Sequence, residues 1–232
     1  MVAFFVILTI IGFILVDSLV QWAEARQRRA LRRVTPRPEI FPALALETVS
    51  VPAGLFLDEG HTWVRLEPNG RTLIGMDEFV RRAIGRVDAV ELPKVGSVVR
   101  RGDPLFVVLQ NGRRAVFRAP ITGVVSAINE NLARLPETGR MDPYEEGWVC
   151  ALKPMNLAAH LRHLFVAEEA RAWLRSEIER LKEFLTMRPM LQPALGHVLQ
   201  DGGQWAEGLL ETLDEVGWAE FTRTFLRSPS VE

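Results

Sequence analysis

Apolar residues dominate the first stretch of the chain, from Val2 to Val16, which carries no charge. Asp17, Ser18 and Gln21 follow, then Trp22. A helix over Val2–Trp22 would be about 30 Å long, the thickness of a bilayer core, with the indole of Trp22 at an interface. Two prolines in Val34-Thr35-Pro36-Arg37-Pro38, with Phe41-Pro42 beyond them, rule out a continuing helix and read as a linker. From Val49 to Pro154 the pattern changes to short apolar runs broken by Gly, Pro and Asn, the signature of a small β domain. Trp63–Leu66 and Thr72–Gly75 read as strands around the turn Glu67-Pro68-Asn69-Gly70. Asp88–Pro93, Leu105–Leu109, Ala115–Phe117 and Ala119–Val125 read as further strands. Asn111-Gly112 between two apolar runs predicts a hairpin, because both residues tolerate positive φ. Met76 to Ile84 predicts a short helix stopped by Gly85, with Phe79, Val80, Ala83 and Ile84 on one face. Helical periodicity returns at Val166–Met187, where Val166, Ala170, Trp173, Leu174, Ile178, Leu181 and Leu185 form one stripe that Arg188-Pro189 ends.

Charge adds a direction to the first segment. Arg26, Arg28, Arg29, Arg32 and Arg33 follow it, and basic residues on that side hold the bulk of a chain in the cytoplasm. Trp22, Arg26, Arg28 and Arg29 are therefore expected at the membrane interface of a single-pass anchor in a bacterial-type plasma membrane. A cleaved signal peptide is the competing reading, since Ala23-Glu24-Ala25 mimics a small-x-small cleavage site. Asp17 falls near the cytoplasmic end of the span, where a carboxylate reaches water. Over the whole chain 28 basic side chains meet 29 acidic ones, which implies no nucleic-acid partner. Cys150 is the one cysteine, so no intrachain disulfide forms, and its apolar setting predicts a buried thiol. His160 and His163 share a helical spacing, but two ligands without a nearby Cys or acid make no metal site.

Six motifs in order give the central segment a family resemblance. They are Glu59-Gly60-His61-Thr62-Trp63-Val64, then Gly75-Met76-Asp77-Glu78-Phe79 followed by Gly85, then Val90–Gly96. The last three are Arg118–Val125, then Asn129–Leu132, then Asp142-Pro143-Tyr144 through Gly147-Trp148-Val149. Together they resemble the glycine-cleavage H-protein family over about Val51 to Glu179. The resemblance implies a mainly β fold with helices, a lipoyl-type barrel-sandwich hybrid. Here it would be preceded by one transmembrane helix and followed by a helical extension. The expected segments are an anchor and basic stretch at 1–33, a linker at 34–47, the H-protein-like domain at 48–187 and the extension at 188–232.

The resemblance also implies a lipoyl-bearing lysine at a hairpin tip, just before the Ala-Pro pair. Counting back from Ala119-Pro120 puts Gly112 there, and Arg113 and Arg114 are guanidinium-bearing, always charged and poor nucleophiles. The expectation is a non-enzymatic, cofactor-free interaction subunit of a membrane complex, such as an electron-transfer assembly, with other protein subunits and the lipid bilayer as partners. The alternative is a carrier or enzyme component in glycine-cleavage or lipoate-linked redox chemistry. Arg113 and Arg114 at the tip, and Trp205, Trp218 and Phe221 in the apolar extension, are the expected protein-interaction residues. Sequence leaves open whether the extension packs on its own domain or on a partner.

Overall fold

The computed structural model describes residues 51–136, 142–187 and 208–226. The predicted membrane span, Trp22, Arg26, Arg28, Arg29, the linker and Trp205 lie outside them. Among the described residues no helix is long and apolar enough to cross a membrane.

Two antiparallel sheets form the domain. The larger is built from β1 (Leu55–Leu57), β2 (Thr62–Leu66), β3 (Thr72–Met76), β5 (Val98–Val99), β8 (Gly123–Ile128), β9 (Trp148–Pro154) and β10 (Phe165–Val166). Its strand order is β10-β1-β2-β3-β9-β8-β5. The smaller joins β4 (Ala89–Glu91), β6 (Pro104–Gln110) and β7 (Arg113–Arg118) in the order β4-β6-β7. Inward positions alternate along β6 and β7, so Phe106, Val108, Ala115 and Phe117 are buried, and the Phe106 and Phe117 rings stack at 4.7 Å. Trp63 on β2 is fully buried and donates its Nε1–H to Pro143 O at 3.1 Å. Gly75 opposite it has no alternative: a Cβ there would lie 2.8 Å from both the Trp63 ring and Gly147 O. The pairing of β3 with β9 shifts register at this point.

The sandwich expected from sequence is present, with boundaries moved by a residue or two. Helix α1 (Glu78–Ile84) starts later than the predicted Met76 because Met76 completes β3. Asp77 caps it by accepting the Val80 N–H at 2.9 Å, a local bond that outcompetes an earlier start. Gly85 ends it with φ 79°, as predicted. Two short helices, α2 (Glu130–Arg134) and α3 (Leu157–Leu161), follow β8 and β9 in the chain. The long helix α4 (Ala167–Thr186) buries Ala170, Leu174, Ile178, Leu181 and Leu185 of the predicted stripe, and Glu177 with them. Val166 instead belongs to β10 and is exposed. Cys150 is buried in β9, and burial pushes its thiol up to about 12, which makes it inert.

The last helix, α5 (Glu215–Phe225), settles the question that sequence left open for the part of the extension described. Asp214 caps it by accepting the Gly217 N–H at 2.7 Å. Its Phe225 ring lies 5.7 Å from Phe184 and 6.3 Å from Phe79, so it seats α5 against both α4 and α1. Leu209, Leu210, Leu213, Phe221 and Leu226 are buried alongside. Replacing Phe225 by Ala should cost about 3–5 kcal/mol in a urea unfolding titration, since the ring fills a space its neighbours cannot close. Val216 on the same helix is 74 % exposed, and Val216→Ser should stay within about 0.5 kcal/mol of the parent.

Candidate functional site at the hairpin and beneath its cover

The β6–β7 hairpin turns through Asn111 and Gly112, with φ of 48° and 75° and Gln110 paired across to Arg113. Two consecutive left-handed residues match the strand twist, and a two-residue loop of this kind is rigid. Asp88 Oδ2 accepts the Asn111 N–H at 2.6 Å and fixes the turn from outside. Both tip residues are exposed, and the space beside Gly112 is open.

Below the tip the side chains are tied down. Gln110 is buried, and its Nε2 donates to Ile84 O and to Arg86 O. Its Oε1 accepts from Arg113 at 3.0 Å. The Arg113 guanidinium also donates to Leu213 O at 2.6 Å and Glu211 O at 3.3 Å, and lies 4.5 Å over the Trp218 ring. Arg114 makes a bidentate pair with Glu91, both bonds 2.8 Å. That pair is about half exposed and contributes little to stability.

These contacts revise the expected interaction residues. Arg113 and Arg114 stand at the hairpin as foreseen, yet Arg113 binds the chain's own backbone. Trp218 is only 4 % exposed and Phe221 fully buried, so both are internal packing groups and not surface anchors. Trp218 Nε1 donates to Arg114 O at 3.0 Å and so occupies a carbonyl on the open edge of β7. The apolar character that suggested a partner surface is consumed inside the molecule.

The second cluster was missed as a site because its members are far apart in sequence. His61, fully buried with φ 59°, places Nδ1 2.8 Å from Asp77 Oδ2 and Nε2 3.6 Å from Glu177 Oε2. Phe79 stacks on the imidazole at 4.6 Å and Trp173 lies at 5.0 Å. Burial disfavours the imidazolium, but the charge and hydrogen bond of Asp77, aided by Glu177, outweigh it and raise the pKa to about 9. Burial likewise opposes ionisation of Glu177, but His61 and Arg180 win and hold its carboxyl below the ordinary range. The one legible signal was Glu177 three residues before Arg180, an ordinary surface spacing. His160 and His163 sit at the surface, and no group of three or more His, Cys, Asp or Glu side chains among the described residues is placed to hold a metal ion.

Two sheets with a projecting two-residue hairpin and a long helix packed against the larger sheet define a mainly β sandwich module with helices. The family model of the glycine cleavage H-protein matches residues 55–177, and the chain belongs to that family. It is 36 % identical over 123 residues to the probable glycine cleavage system H protein of Pyrococcus furiosus, covering 53 % of this chain and 91 % of that one. It is 40 % identical over 125 residues to the glycine cleavage system H protein of Psychrobacter sp. strain PRwf-1, covering 54 % and 98 %. A crystal structure of a glycine cleavage system H protein from Mycobacterium marinum aligns with TM-score 0.43 at 25 % identity, over 45 % of this chain and 87 % of that one.

The raised His61 pKa has a testable consequence. A group whose pKa is raised by folding stabilises fully below its ordinary value of 6.5 and loses that contribution as pH rises through about 9. Unfolding free energy should therefore fall by about 3 kcal/mol between pH 6.5 and 9. In His61→Gln the profile over this range should be nearly flat and the protein less stable at pH 6.5. An equally steep fall in the variant would assign the slope to other groups.

Proposed function

We propose that this chain is a membrane-anchored, non-catalytic H-protein-type module that acts by binding other proteins and bears no lipoyl arm of its own. One observation carries the reading. The tip of the β6–β7 hairpin is Asn111-Gly112, and no lysine lies between Lys94 and Lys153. An amide to lipoate needs an amine, and Gly112 has none, so the residues present do not fit that group. The anchor rests on the apolar run Val2–Val16 and the arginines behind it. Partners would be protein subunits at the cytoplasmic face of the membrane.

The names of the relatives favour a second reading more directly: a carrier component of glycine cleavage or of other lipoate-linked chemistry. The chain has three lysines on which such an arm would have to sit. Lys94 lies between β4 and β5, Lys153 is at the end of β9, and Lys182 on α4 pairs with Glu179 at 2.8 Å.

Intact-mass measurement separates the two. Expressed in a lipoate-supplied host beside the Psychrobacter H protein as positive control, the chain should keep its unmodified mass. A lipoyl increment mapped to any lysine establishes the carrier reading instead. Topology is tested independently. A C-terminal alkaline phosphatase fusion should be inactive, because the enzyme needs the periplasm. Replacing Arg26, Arg28, Arg29, Arg32 and Arg33 by Glu should raise its activity stepwise. Full activity in the unaltered fusion rules out a cytoplasmic domain.

A further inference from the structure

Residues 208–226 meet the rest of the domain through three sets of contacts that together look like those of a bound ligand. The first is at the end of α1, whose last carbonyls have no partner within the helix. Gly208 N donates to Arg82 O at 2.8 Å and Leu210 N to Ala83 O at 3.0 Å. Glu211 Oε1 accepts the Arg86 N–H at 2.9 Å. The second is Arg113, which collects the carbonyls of Glu211 and Leu213. The third is the apolar side of α5. Trp218, Phe221 and Phe225 stand at i, i+3 and i+7, which puts all three rings on one face. Trp218 reaches β7 at Arg114 O, and Phe221 and Phe225 lie against Phe184 of α4, at 6.1 Å and 5.7 Å.

Helix-in-groove recognition between separate proteins uses this same arrangement of anchors. Two facts make the segment separable from the module it covers. The family match ends at 177. The relatives are covered over 91 % and 98 % of their own lengths, which leaves little of them to form a counterpart of 208–226. The family match is thus complete without this segment. An 11-residue helix is in turn too short to persist alone in water, so α5 is helical because it is seated.

We propose that the face formed by the end of α1, the flank of the β6–β7 hairpin and α4 is a helix-docking face, occupied here by the chain's own residues 208–226 as a tethered ligand. The partner it fits is an amphipathic helix with aromatic residues at i, i+3 and i+7, preceded by a turn whose free carbonyls face Arg113. Such a partner gains the face only by displacing α5, so the segment sets a threshold for binding. The exposed tip, Asn111-Gly112, stays available throughout. This inference does not depend on lipoylation, and its test leaves the mass measurement above untouched.

The probe is a fluorescein-labelled synthetic peptide of residues 208–226, titrated by anisotropy into the full chain and into a full chain carrying Trp218→Ala with Phe221→Ala. Those substitutions weaken the tethered copy and leave the receiving face intact. The variant should bind the peptide at least tenfold more tightly than the parent, because a less populated closed state taxes the competitor less. Adding Arg113→Ala should reduce that affinity again, and a scrambled peptide should not bind. A folded variant that binds no better than the parent, or binds the scrambled peptide equally, overturns the proposal. Hydrogen exchange on the unaltered protein gives a reading if the variant fails to fold. The amides of α5 should exchange at least tenfold faster than those of β2, β3 and β9, as a locally opening unit does. Exchange of α5 at the rate of those strands means the segment is inseparable core and also overturns it.

Discussion

Burying an imidazolium strips it of water, and only close carboxylates recover the loss. His61 has them on two sides, Asp77 at 2.8 Å and Glu177 at 3.6 Å, with aromatic rings filling the remaining space. Each of the three comes from a different element. His61 precedes β2, Asp77 caps α1 and Glu177 is in the middle of α4. The charge cluster therefore fixes where the long helix sits against the large sheet. It does so with directional interactions, which apolar packing alone lacks. Asp77 serves twice, since one carboxylate oxygen caps α1 and the other holds His61.

The same arrangement reaches the C-terminal helix. Arg180, paired with Glu177, lies 5.0 Å over the Phe225 ring and donates to Thr224 O at 3.3 Å. Position and orientation of α5 thus follow from α4, and those of Trp218 follow from α5. Trp218 then meets Arg113 and the carbonyl of Arg114 on the edge of β7. The flank of the hairpin is closed by groups that trace back, one contact at a time, to the buried histidine. What remains open is the tip itself, where the rigid Asn-Gly turn holds its shape without help from the cover.

Much of this was legible in the residue pattern, because it is local. Short apolar runs broken by Gly, Pro and Asn gave the strands, Asn111-Gly112 gave the hairpin, and the stripe from Ala170 to Leu185 gave the face of α4. Six ordered motifs pointed to the family and placed Gly112 at the tip. Each of these depends on neighbours in sequence or on short-range backbone preferences, so one chain suffices to read it. The burial of Cys150 was read the same way, from the apolar run around it.

Tertiary structure decided whatever required residues distant along the chain to meet. Glu177 looks like one more solvated acid on a charged helix until α4 turns it towards His61, 116 positions away in a strand-leading turn. Trp218 and Phe221 have the composition of interface anchors, and composition is the same whether such groups meet a partner or their own domain. Only the placement of α5 over β7 distinguishes the two. Arg113 likewise reads as an exposed charge at a loop and becomes, in the fold, the donor that holds Glu211 and Leu213. Sequence by itself determined which elements form and which family they belong to, since those follow from local conformation. The pairing of buried charges and the closing of the hairpin flank were decided by packing, because desolvation and hydrogen-bond geometry exist only once the elements are assembled.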